Sequence, residues 1–210
     1  MCYYIEQNTS AKKISKTFQA KFEDPGLFHP KDQISAFDFP LLPILKGENS
    51  QVFQLAFWGL IPHWAKDKEI RKNTLNARLE TITEVASFRE VTEQRCILPV
   101  TGFYEWKWLD SKGKRKEKYR IGVVEKPIFA LAGLHSTWTN PKDENLVESF
   151  SLLTTEANPI MAEIHNIKKR MPLIMDSSQA KTWLESGEIQ LKDNLETICL
   201  ESDGQLDLFS

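Results

Sequence analysis

Apolar positions along this chain alternate more often than they recur at helical spacing. "QVFQLAF" (51–57) sets Phe53, Leu55 and Phe57 on one side of an extended segment, which predicts a strand. It runs into "WGLIPHWAKD", a loop bracketed by Trp58 and Trp64. "RCILPVTGFYEWKWL" and "KEKYRIGVV" read as strands around the turn "DSKGK", and "KPIFALAGLHSTW" and "SFSLLTT" add two more. "MCYYI" and "MPLIM" read as short strands. Helical patterns are fewer. In "SAKKISKTFQAKF", Ile14, Phe18 and Phe22 fall four apart behind Ser10, a capped amphipathic helix. "TTEANPIMAEIH" predicts a helix starting after Thr155, with Pro172 stopping whatever follows His165, and "SSQAKTWLES" a capped helix. Residues 24–50, rich in Pro and Gly, predict irregular structure, and there is no internal repeat. This balance points to an α+β domain over residues 2–200, with mainly antiparallel sheets and a few helices outside them. Residues 201–210, "ESDGQLDLFS", read as a flexible polar tail with an apolar end.

Composition narrows the functional classes. The chain has 210 residues, 41% hydrophobic and 10% aromatic, which suits one domain with a real core. A net charge of −2 gives no global attraction to nucleic acid, so any such binding must come from local basic patches. Residues 1–20 hold no apolar run of signal-peptide length and no stretch long enough to span a membrane, so a cytoplasmic protein is expected. The three cysteines, Cys2, Cys96 and Cys199, fit neither a disulfide framework nor a CxxC metal site. No metal or cofactor is expected, and Cys96 reads as a buried thiol.

Several polar groups stand out. Loss of Met1 would leave Cys2 with an amine and a thiol on adjacent carbons. "NARLET" supplies Asn76, Arg78 and Glu80. In "GFYEWKW", strand alternation puts Phe103, Glu105 and Lys107 on one face, where aromatic neighbours would raise the pKa of the carboxylate and suit it to proton transfer. "AEIHNIKKRMP" sets His165, a candidate acid/base, near a helix end with Arg170 following. Taken singly, each has an ordinary explanation. Glu105 fits an exposed edge strand, His165 a helix C-terminus favoured by the dipole, and Arg78 an ion pair. Trp58 and Trp64 fit a core, and the basic run "KGKRKEKYR" (112–120) a solvated hairpin.

The order of segments is more specific. Cys2, "WGLIPHWA", "NARLET", "SFRE", "RCILPVTGFYEWK", "FALAGLHSTW", "TTEAN" and "IH…RMPLIM" together resemble the SOS response-associated peptidase (SRAP) family of abasic-site processing proteins, over about residues 2–185. The resemblance implies an antiparallel β pseudo-barrel with peripheral helices and a DNA groove. It implies that Met1 is lost, that single-stranded DNA is bound, and that Cys2 crosslinks to abasic sites. It assigns Asn76 and Arg78 to holding the lesion and nearby phosphate, and Glu105 and His165 to the active site. Arg170 corresponds to the family's arginine before Met-Pro, with Lys168 and Lys169 as alternative phosphate contacts, and Trp58 would lie against the bases. Two departures are visible. Tyr3 and Tyr4 stand where the family usually has Gly-Arg, offering a ring that can stack on a base, and "NIKK" separates His165 from Arg170.

The chemistry implied is a Schiff base between the Cys2 amine and the abasic aldehyde, closed by the thiol into a thiazolidine. Met1 removal is either self-catalysed or the work of a methionine aminopeptidase. Two other classes stay open: a cysteine peptidase acting on other proteins, and a non-catalytic single-strand binding module. The end of the tail, "QLDLF", resembles the peptide by which bacterial repair proteins dock on the polymerase sliding clamp. Gln205 would hydrogen-bond to the pocket rim, and Leu206, Leu208 and Phe209 would enter apolar pockets.

Overall fold

The structure is a computed structural model that describes residues 2–189 and 197–202. Its strands, in chain order, are β1 (Tyr4–Gln7), β2 (Lys21–Phe22), β3 (Lys31–Ser35), β4 (Leu41–Lys46), β5 (Asn49–Trp58), β6 (Asn76–Arg78), β7 (Arg95–Val100), β8 (Gly102–Trp108), β9 (Lys116–Val123), β10 (Phe129–Thr139), β11 (Leu146–Glu156), β12 (Arg170–Pro172), β13 (Ile174–Met175) and β14 (Thr197–Ser202). The helices are α1 (Ala11–Phe18), α2 (Pro159–Ile164) and α3 (Ser177–Ser186). A five-stranded sheet runs β14-β9-β8-β1-β3, and a nine-stranded sheet follows the path β12-β11-β10-β7-β4-β5-β2 with β6 and β13 joined to β11 and β10. Most pairings are antiparallel; β5 and β6 run parallel to β11. The expected α+β pseudo-barrel is therefore the architecture found.

Two apolar cores explain the arrangement. Between the sheets, Ile5, Phe103 and Ile121 meet Leu98, Leu131, Phe150 and Leu152. On the far face of the larger sheet, Ile97, Leu134 and Leu153 pack with Ile14 of α1 and with Trp183 and Leu184 of α3. Strands of the larger sheet are thus covered on both faces. That is why both faces of β5 carry buried side chains: alternation holds, but Phe53 enters the second core while Ala56 and Trp58 enter the first, and Leu55 and Phe57 are half-buried.

Other expectations change at their edges. Helix α1 stops at Phe18 because Gln19 turns left-handed, at φ 53°. Phe22 consequently lies in β2 and stacks on Phe53 at 4.5 Å between ring centroids. Residues 24–50 are not irregular, since they hold β3 and β4. Pro43 sits within β4, its ring φ being compatible with extended backbone. Helix α2 starts later than expected because β11 runs on to Glu156; Asn158 caps it, its Oδ1 accepting from the Met161 N–H at 2.9 Å. Strand β14 reaches Ser202, so the segment read as tail from residue 201 begins inside a strand paired with β9. Gln205, Leu206, Leu208 and Phe209 lie outside the described residues. No helix among the described residues is long and apolar enough to cross a membrane.

Candidate active site

Strand β8 lies between β1 and β9, so its odd-numbered side chains point into the core between the sheets. Phe103 is fully buried and Glu105 only 5% exposed. The carboxyl of Glu105 is pushed up to about 7, above all by lost hydration, with the positive charge of the amino terminus and a backbone N–H pulling the other way. The edge-strand alternative is excluded, and the alternation read in "GFYEWKW" is correct.

Strand β1 pairs with β8 through Tyr4 and Tyr104, and the same register carried back one residue sets Tyr3 opposite Glu105. Cys2 is fully buried, its Sγ–H donating to the Tyr4 carbonyl at 3.8 Å. Burial, then the Glu105 charge, push its thiol up. Strand β6 is inserted beside β11 with Asn76 opposite Leu152. From there the Asn76 amide donates to the Cys2 carbonyl at 2.9 Å. Its Oδ1 is buried with no partner among the described residues, an acceptor facing no donor.

His165 forms the C-cap of α2. The "NIKK" insertion closes a tight loop behind it. The Lys169 N–H donates to the His165 carbonyl at 2.9 Å, and Lys169 takes the left-handed φ of 47° that the closure requires. Asn166 anchors this loop to the end of β8: its Oδ1 accepts from the Trp108 N–H at 3.1 Å and its Nδ2 donates to the Trp108 carbonyl at 2.9 Å. The histidine and the Glu105 strand are thereby held together. His165 Nδ1 lies 2.8 Å from the Arg170 carbonyl, and the ring is pushed down to about 4, first by desolvation and then by the amino-terminal charge. It is neutral at physiological pH. Glu105 and His165 both sense the amino-terminal charge, and Asn76 touches Cys2, so four of the predicted residues converge on the start of β1.

The predicted DNA contacts divide. Arg78 is exposed at the end of β6, and with Lys168, Lys169, Arg170, Glu80 and Glu156 it lines a cleft of about 410 Å³. Lys168 and Lys169 are exposed there. Arg170 is committed elsewhere. Its guanidinium forks onto Glu80 at 2.9 and 2.7 Å and donates to the Thr154 carbonyl at 2.7 Å. Trp58 is also corrected: it is fully buried, its Nε1–H donates to the Leu75 carbonyl at 2.8 Å, and it stacks on Phe150. An indole so enclosed has no face for a base. The glycine after it is required by the turn, with φ 118° and a would-be Cβ 2.9 Å from Arg71.

The order of these side chains along the chain and their convergence in space have a counterpart in known proteins. The sequence model described as "SOS response associated peptidase (SRAP)" matches residues 1–208. The chain belongs to the SRAP family. The abasic site processing protein YoqW of Bacillus subtilis is 39% identical over 165 residues, covering 78% of this chain and 70% of that protein. YoaM of the same organism, with the same description, is 38% identical over 184 residues, 87% of this chain and 78% of that one. The abasic site processing protein HMCES of Pongo abelii is 27% identical over 67% of this chain and 47% of its own length. A crystal structure of a protein from Bacteroides thetaiotaomicron superposes with a TM-score of 0.83 at 30% identity, covering 95% and 92% of the two chains. The SRAP fold is thus shared with a solved structure.

Two contributors escaped the sequence reading. Glu80 was visible in "NARLET", but its pairing with an arginine ninety residues on carries no sequence signal. Asn166 had no assigned role within "NIKK", and only the fold brings it to Trp108.

Proposed function

We propose that the mature chain, after loss of Met1, binds single-stranded DNA and captures abasic sites covalently through Cys2. The observation that carries this reading is the burial of Cys2 beside Glu105, with the Asn76 amide on its carbonyl. The names of YoqW, YoaM and HMCES as abasic site processing proteins support the substrate.

The steps balance with loss of one water. The freed Cys2 amine adds to the open-chain aldehyde of the abasic sugar, and the carbinolamine expels its hydroxyl as water to give an imine. An α-amine titrates near pH ~8, so a useful fraction is neutral. The thiol then adds across the C=N bond: sulfur bonds to carbon, and the S–H proton reaches nitrogen. Glu105, its carboxyl raised by burial, relays protons in both steps. His165, neutral and oriented from Nδ1 by the Arg170 backbone, serves the sugar oxygen. Ring closure is intramolecular and gains an effective concentration of reactant. A thiol held protonated by burial suits this order, in which the amine attacks first and the sulfur meets an already activated carbon. It suits a cysteine peptidase poorly, because that chemistry starts from a thiolate made by a neighbouring imidazole. Arg78, Lys168 and Lys169 would hold phosphates at the rim, a salt-sensitive contribution.

The tail motif Gln205–Phe209 would dock the protein on the sliding clamp, raising its local concentration at replication forks. The test of the main reading is denaturing electrophoresis of Met1-free protein mixed with an abasic single strand. A heat-stable shifted band is expected; none with an intact abasic aldehyde present would remove the proposal.

A further inference from the structure

The side of the five-stranded sheet that faces away from the core carries an ordered pattern outside the pocket. On β8, the even-numbered residues are Tyr104, Trp106 and Trp108; directly opposite them on β9 stand Arg120, Lys118 and Lys116. Three aromatic residues face three basic ones in register. The Lys118 ammonium lies 4.4 Å from the Tyr104 ring centre and the Lys116 ammonium 5.0 Å from that of Trp108. The intervening Glu117 belongs to the other face, where the Tyr119 hydroxyl donates to it at 2.7 Å. Across β8, the Tyr4 ring meets Trp106 edge-on at 4.8 Å. Phe37 then extends the row, 6.3 Å from Tyr4 and 4.9 Å from Tyr3 between centroids. Phe37 is 53% exposed, and Tyr3, Tyr4 and Trp106 are half-buried. Tyr3, bonded to Cys2, is on the other face of β1, opposite Glu105 and packed against the core, so Phe37 spans the sheet edge from the outer row to the residue beside Cys2.

We propose that this strip, Phe37–Tyr4–Trp106 with Lys118 and Lys116 beside it, holds the unpaired bases next to the lesion as a DNA single strand leaves Cys2. The inference rests on the reading of Cys2 as the abasic-site nucleophile and adds where the flanking strand runs. Stacked bases need exposed π faces in a row, and their phosphates need cations alongside; this face supplies both. Two of its members do not take part. Arg120 is locked on Glu6 at 2.5 and 2.8 Å, and Tyr104 is buried with its hydroxyl on Glu6 and the Asp32 carbonyl. The two tyrosines stand where the resembled family has Gly-Arg, so this chain exchanges a cation at position 4 for rings and draws its charge from β9.

The test uses fluorescence anisotropy with a labelled single strand carrying a central tetrahydrofuran residue, which lacks the aldehyde and cannot crosslink. A second strand has the flanking nucleotides baseless as well. Phe37→Ala should weaken binding to the first strand about tenfold, the size of one lost base stack, and should not change binding to the second. Phe37→Tyr should restore affinity, and Lys118→Gln should lower the salt dependence on both strands. Equal losses on both strands, no loss on either, or no single-strand binding by the parent would overturn the proposal. Crosslinking of a true abasic strand, run on the same proteins, keeps the two readings apart. A parent that crosslinks while Phe37→Ala shows no base dependence sinks only the strip. A parent that binds but never crosslinks sinks only the Cys2 chemistry.

Discussion

Glu105 and His165 tilt the stability of the fold in opposite directions with pH, and removing either should expose the other. Glu105 is raised from an ordinary 4.5 to about 7. Between those values the folded state binds more protons than the unfolded one, so its stability falls as pH rises and stays lowered above pH 7. At about 1.4 kcal/mol per pH unit this amounts to about 3 kcal/mol for a group so deeply buried. His165 is lowered from 6.5 to about 4. There the unfolded state binds the extra proton, so stability falls as pH drops from 6.5 towards 4. The ring is only partly buried, and solvent screening cuts its share to about 1–2 kcal/mol. In the parent the two slopes oppose each other between pH 4.5 and 6.5. Relative to the parent, Glu105→Gln should therefore gain stability steadily as pH rises from 4.5 to 7, by up to about 3 kcal/mol, on top of a pH-independent offset from burying the amide. For a chain of this size that is roughly 6–12 °C in Tm. His165→Ala should lose its small relative advantage at low pH over the same range. Urea unfolding at pH 4.5, 5.5, 6.5 and 7.5, with Met1 retained in all three proteins, reads both differences. Variant-minus-parent curves that are flat in pH would refute the assignment of these groups to the buried pocket.

Other outcomes follow from particular contacts. Cys2→Ala should abolish the heat-stable adduct while leaving binding to undamaged single strands nearly unchanged; borohydride should still trap a transient imine, and a stable adduct without it would sink the ring. Because Arg170 holds His165 through its backbone and Glu80 through its guanidinium, Glu80→Gln and Arg170→Lys should slow crosslinking alike, with DNA affinity and salt slope unchanged. A loss of affinity confined to the arginine variant would return Arg170 to the phosphate. Trp58→Ala should destabilise the domain by about 3–5 kcal/mol in urea, the cost of emptying a packed indole site; wild-type stability with weakened DNA binding would contradict its core position. Titration of a bacterial sliding clamp should lose the complex in the Leu208→Ala/Phe209→Ala double variant; equal binding by variant and parent removes the clamp as a partner.

The strands were legible because local patterns carried them; the four residues that meet near the start of β1 were legible because the order of segments resembled a family, each having an ordinary explanation when taken singly. Alternation alone put Glu105 inward, and the capping residues Ser10 and Asn158 lie close to the ends of the helices predicted. What escaped depends on neighbours distant in sequence. A three-residue strand such as β6 has no period to read, and only its parallel seat on β11 brings Asn76 to Cys2. The resemblance placed Trp58 against DNA, whereas its own sequence context also fitted a core; a tryptophan beside a glycine loop looks the same buried or exposed until both faces of β5 are seen to be covered. Phe37 lay in a stretch read as irregular, and its rank in the aromatic row appears only when β3 flanks β1.

The central claim, that Cys2 closes a ring on the abasic sugar, is tested most directly by intact-mass spectrometry of the adduct with and without borohydride. The account predicts a mass equal to protein without Met1 plus DNA less one water, unchanged by later borohydride because no C=N bond remains. An adduct that retains Met1, or one that gains two hydrogens on reduction, would contradict it.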